Sequence, residues 1–70
     1  MKFVKQKMID RIKAEGREDM IDDEVMSIMD NLDGQEATRS CWRRIVHGDP
    51  VLWVVGKDGE GYYVNELDCE

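Results

Sequence analysis

Residues 37–64 read ATRSCWRRIVHGDPVLWVVGKDGEGYYV, and the reading of this stretch decides the fold. Val51 to Val55 is an unbroken apolar run, and all but Leu52 are β-branched or aromatic, which favours a strand. So little polar alternation predicts cover on both faces. Three glycines, at 56, 59 and 61, and the Asp58-Gly59 pair predict a hairpin loop. Tyr62 to Leu67 then forms the return strand, giving a hairpin over about 51–67. Upstream, a projection at about 100° per residue places Ala37, Cys41, Trp42, Ile45 and Val46 on one arc. Arg39, Ser40, Arg43, Arg44 and His47 fall on the other. This pattern predicts a helix over about 35–47, ended by Gly48, with the chain turning at Pro50.

Working outward, Ile21, Val25, Ile28, Met29 and Leu32 share one face of a helix predicted over about 19–32. Asp19 or Asp22 caps its start, and Asp33-Gly34 ends it. Val4, Met8, Ile9 and Ile12 predict a first helix over about 2–15, with Gly16 as its stop. Phe3 falls off that stripe, so it precedes the helix or packs separately. The last residues read as a polar, frayed tail. The expected fold class is α+β, three helices followed by a C-terminal β-hairpin in a single domain. Val25, Ile28, Leu32, Ala37, Cys41, Trp42 and Ile45 are its expected core.

With 70 residues the chain makes one small domain with a thin core. Its net charge of −6 argues against a general nucleic-acid binder. The charge is striped. Residues 1–17 carry six positive and two negative charges, and residues 18–36 carry eight negative charges and no positive one. Residues 37–47 then hold three arginines and no acid, and residues 48–70 hold one lysine against six acids. Pairing between stripes is the simplest reading. The two cysteines, Cys41 and Cys69, form no disulfide framework and are read as thiols. No apolar run reaches the roughly 20 residues that a membrane helix needs, so the expectation is a cytoplasmic protein with no membrane partner.

No catalytic constellation is legible. Ser40 and His47 share a side of the predicted helix but would stand roughly 10 Å apart, and Cys41 projects elsewhere. Cys41, His47 and Cys69 lack the spacing of a zinc site. Asp22, Asp23 and Glu24 lack the alternation of a calcium loop. No glycine motif cradles phosphate. The expectation is a binding module with no enzyme activity, metal or cofactor.

Three helices followed by a hairpin resemble the winged helix-turn-helix arrangement. That resemblance implies a DNA-binding regulator. Its reading helix would present Arg39, Ser40, Arg43 and Arg44 to the duplex, and Lys57 would lie on the wing. The wing tip departs from the family pattern, since Asp58 and Glu60 outnumber Lys57 there. The alternative is an acidic module that binds or inhibits a protein, or pairs with a second copy, through the hairpin aromatics Trp53, Tyr62 and Tyr63. Trp42 reads as core. Trp53 admits both a core and a partner-facing reading.

Overall fold

The computed structural model describes residues 1–39, 45–46 and 49–70, with the backbone alone at 39, 45, 46 and 49. Two helices precede an antiparallel sheet: α1 (Lys5–Ala14), α2 (Asp23–Leu32), β1 (Ala37–Arg39), β2 (Ile45–Val46), β3 (Asp49–Val55) and β4 (Gly61–Asn65). Short 3-10 turns lie at Glu18–Met20 and Glu66–Asp68.

The sheet is built around β3. Leu52 and Val54 are fully buried, so their backbone groups need hydrogen-bond partners on both sides. On one edge β4 pairs Leu52 with Val64 and Val54 with Tyr62. On the other, β1 pairs Leu52 with Arg39 and Val54 with Ala37. β2 pairs with the start of β3, Ile45 with Pro50 and Val46 with Asp49.

These pairings correct the third helix expected over 35–47. Residues 37–39 and 45–46 are strands, and Pro50 lies inside β3 instead of at a turn. The physical reason is tertiary. An apolar strand left with one open edge would bury unpaired amides, and Thr38, Ile45 and Val46 are β-branched residues with modest helix preference. Ser40, Cys41, Trp42, Arg43, Arg44, His47 and Gly48 lie outside the described residues, so the core positions expected at Cys41 and Trp42 are not placed. The α+β class holds with two helices among the described residues.

The other elements follow their local signals. Asp22 caps α2, its carboxylate accepting from the Val25 amide at 2.8 Å. Gly34 leaves α2 at φ +80°, a conformation open to glycine. Gly16 does the same after α1, at φ +71°. No side chain of its own caps α1; Asp33, beyond the end of α2, accepts from the Lys5 amide at 2.9 Å. This contact, with the Lys5–Asp30 ion pair, ties the start of α1 to the end of α2.

Residues 1–4 are extended and held from both sides. The Lys2 amide donates to the Glu70 carbonyl, and the Glu70 amide to the Lys2 carbonyl, both at 2.8 Å. The Gly34 amide donates to the Phe3 carbonyl at 2.8 Å, and the Phe3 amide to the Gln35 carbonyl at 3.0 Å. Phe3 is thereby driven into the core, 0% exposed, beside Met29, Leu32, Leu52 and Val54. The frayed tail expected at the C-terminus is corrected as well: Asp68 and Cys69 are buried. Of the other expected core residues, Leu32 and Ala37 are buried, and Val25 and Ile28 are half-buried against the cluster. Ile45 is placed by its backbone only.

Candidate functional site

Alternation along the strands sends successive side chains to opposite faces of the sheet. Ala37, Leu52, Val54, Tyr62 and Val64 face inward toward Phe3 and α2. The outer face is organised by one row across three strands, because Thr38 pairs with Trp53 and Trp53 with Tyr63. Trp53 is 38% exposed and Tyr63 48%. Their rings meet edge to face, with centroids 4.9 Å apart and planes at 62°. Such a pair adds about 0.5–1.5 kcal/mol beyond its buried area, so it is held in place rather than loose. Gly61 makes the arrangement possible: a Cβ there would overlap the Trp53 indole. Val55, 45% exposed, continues the apolar surface along β3.

Of the three aromatics expected to face a partner, Trp53 and Tyr63 are thus on one open surface. Tyr62 is not. It points inward and lines a groove between the helices and β4, together with Phe3, Met8, Val25, Ile28, Met29, Leu32, Tyr63 and Val64. The groove has a volume of about 160 Å³. Nothing in the local sequence pattern announces it, because its floor is Phe3, a residue outside every amphipathic stripe.

The residues expected to contact DNA are placed only in part. Arg39 is on a strand, paired with Leu52, and no helix runs through it. Ser40, Arg43 and Arg44 lie outside the described residues. Lys57 is turned back onto α2: its amide donates to the Asn31 carbonyl at 3.1 Å and its ammonium to the Asp30 carbonyl at 3.3 Å. A cation there neutralises the negative end of the helix dipole. The loop is anchored further by Asn31, whose carboxamide donates to Asp58 at 2.8 Å and accepts from the Asp58 amide at 3.1 Å. The Glu60 amide and the Asn31 carboxamide together hold the Asp58 carboxyl below its ordinary range.

Charge pairing between the stripes is visible at three points. Lys5 pairs with Asp30, the N-terminal amine with Glu36, and Arg11 with Asp68. The last is bidentate, Nε to Oδ1 at 2.7 Å and Nη2 to Oδ2 at 3.0 Å, on a carboxylate that is 1% exposed. Asp68, with Glu15 beside it, holds the Arg11 guanidinium above its usual value. Burial likewise pushes the Cys69 thiol up, away from the thiolate a nucleophile needs. Among the described residues no three His, Cys, Asp or Glu side chains gather as metal ligands, and no helix is long and apolar enough to cross a membrane.

No protein-family model, curated protein or solved structure matches the chain.

Proposed function

We propose that this protein is a small non-enzymatic interaction module that docks a protein partner on the outer face of its sheet. One observation carries the reading: Trp53 and Tyr63 form an ordered edge-to-face pair while remaining 38% and 48% exposed. The row they form with Thr38 contains no charge. Rigid aromatics on a charge-depleted patch are the usual composition of an interface core. The partner accordingly presents a mainly apolar, uncharged surface. The DNA-binding alternative draws its support from Arg39, Ser40, Arg43 and Arg44 sharing one helix, and Arg39 stands on a strand.

The test is a selection of displayed random peptides on the protein, run in parallel on a Trp53→Ser variant. Enriched sequences should be rich in apolar residues and should lose at least about 2 kcal/mol of affinity, roughly 30-fold, on the variant. Amide shifts should map to Thr38, Trp53, Val55 and Tyr63. Enrichment that ignores Trp53→Ser would overturn the proposal. So would duplex DNA binding at low salt that outcompetes every selected peptide.

A further inference from the structure

The groove on the inner side of β4 meets the outer row only at Tyr63, lies away from Thr38 and Trp53, and has a different character. Its floor is fully buried: Phe3 is 0% exposed, Met29 1% and Leu32 2%. Its walls, Met8, Val25 and Ile28, are half-buried and reach solvent. A volume of about 160 Å³ is close to the roughly 150 Å³ of an engineered apolar cavity that holds benzene. The space therefore suits a single phenylalanine or leucine side chain. Methionine on both floor and wall gives the lining the freedom to reshape around it.

The surroundings select the charge of whatever carries that side chain. Residues 18–36 hold eight acids and no base, and all eight are exposed. Asp30 is paired with Lys5, Glu36 with the N-terminal amine, and Asp22 and Asp33 accept from backbone amides. Glu18, Asp19, Asp23 and Glu24 have no ion pair among the described residues. They cluster before and at the first turn of α2, and helical spacing sets Glu24 beside the groove wall at Ile28. An anionic lipid tail would bring its headgroup against these carboxylates. A second copy fits no better, because each copy carries −6 and the cations Lys5, Lys7 and Arg11 of α1 are already engaged.

We infer that this groove docks a basic amphipathic helix of another protein, seating one phenylalanine or leucine between α2 and β4 while lysines or arginines meet Glu18, Asp19, Asp23 and Glu24. This is helix-in-groove recognition, with one apolar anchor for affinity and complementary charge for association rate and orientation.

The experiment titrates the whole chain, labelled at its methionine methyls, with a synthetic helical peptide of about four turns. The peptide is built of lysine, alanine and leucine with one central phenylalanine. The Met8 and Met29 signals should shift and saturate, and Kd should rise roughly tenfold between about 50 and 500 mM salt. Changing the peptide's phenylalanine to alanine should weaken binding by about 30-fold or more. The double change Asp23→Asn and Glu24→Gln should weaken it several-fold and flatten the salt dependence. Val25→Phe should block the groove, with thermal melting confirming that the variant folds. Trp53→Ser should leave Kd unchanged, which separates this site from the outer face. Three results would each overturn the inference: no shift at Met8 and Met29 with millimolar peptide, equal binding by a glutamate-substituted peptide, or indifference to loss of the phenylalanine.

Discussion

Neighbouring residues of β3 meet opposite fates. Leu52 and Val54 are 1% and 0% exposed, while Trp53 and Val55 are 38% and 45% exposed. The inner face closes over Phe3 and α2. The outer face keeps the largest side chain of the strand half in water, braced by Tyr63 and by the missing Cβ of Gly61. Size and hydrophobicity therefore did not decide which residues went inside. Parity did for the central positions, because once Ala37, Val54 and Tyr62 align across three strands, Trp53 and Val55 must face out, while Val51 is covered near the start of the strand.

The sharpest way to break this comparison is to truncate both sides of it. Leu52→Ala leaves a cavity beneath α2 and should cost about 2–5 kcal/mol, enough to unfold much of a domain this small. A denaturant midpoint unchanged by Leu52→Ala would mean that the inner face is not the core. The inner side also contains a charged group, and that gives the next largest effect. Arg11→Ala strands the Asp68 carboxylate, which is 1% exposed, and should cost about 3 kcal/mol, the low end for breaking a buried pair because Arg11 itself touches solvent. Stability should be largely restored by pairing it with Asp68→Asn, and a double-mutant cycle without coupling would rule the contact out. Trp53→Ala should cost less than either, about 2 kcal/mol, from the edge-to-face pair together with its partial burial. A loss matching that of Leu52→Ala would show the two faces to be energetically alike.

The smallest effect concerns the hairpin loop that joins the two faces' strands. The Asp58 carboxyl titrates below its ordinary value of 3.8, first through the Glu60 amide and then through Asn31. A depressed folded pKa adds stability that is present above the unfolded value and is lost as pH falls through the folded one. Asp58→Asn should therefore lower stability slightly at neutral pH and flatten the acid limb below about pH 4, so that the two proteins converge once Asp58 is protonated. An acid limb identical in both proteins would assign acid sensitivity to other carboxylates.

Much of this architecture can be read from local pattern. α2 combines a capping Asp22, a full apolar stripe and an Asp33-Gly34 stop, and it ends where expected, though it begins at Asp23 and the stretch before it forms a 3-10 turn at Glu18–Met20. Val51 to Val55, the glycine-rich loop and Tyr62 identify the hairpin, with the return strand ending at Asn65 rather than Leu67. The segment after Gly34 defeated the same method. Its apolar residues recur with helical period, but the decision belonged to the open edge of β3, a partner more than ten residues further along the chain. The tail misled for a related reason. Asp68 looks solvated until Arg11, 57 positions away, is placed beside it. Within the candidate site, Trp53 and Tyr63 were legible as hairpin aromatics, and the inward turn of Tyr62 followed only from register.

The pairing of Lys2 with Glu70 bears on biosynthesis. A nascent chain emerges from its amino end, yet Phe3 is bridged to Cys69 and Val4 to the Asp68 carbonyl. Residues 2–4 must therefore wait for residues 68–70 to be made before Phe3 can be closed into the hydrophobic centre, and contacts of such long separation are slow to form. Until then Phe3 cannot cover Met29 and Leu32 of α2. A stalled chain ending at Asn65 and held on the ribosome by an added linker should remain protease-sensitive, whereas one extended through Glu70 should resist. Equal resistance in both would show that the closing segment is dispensable for folding.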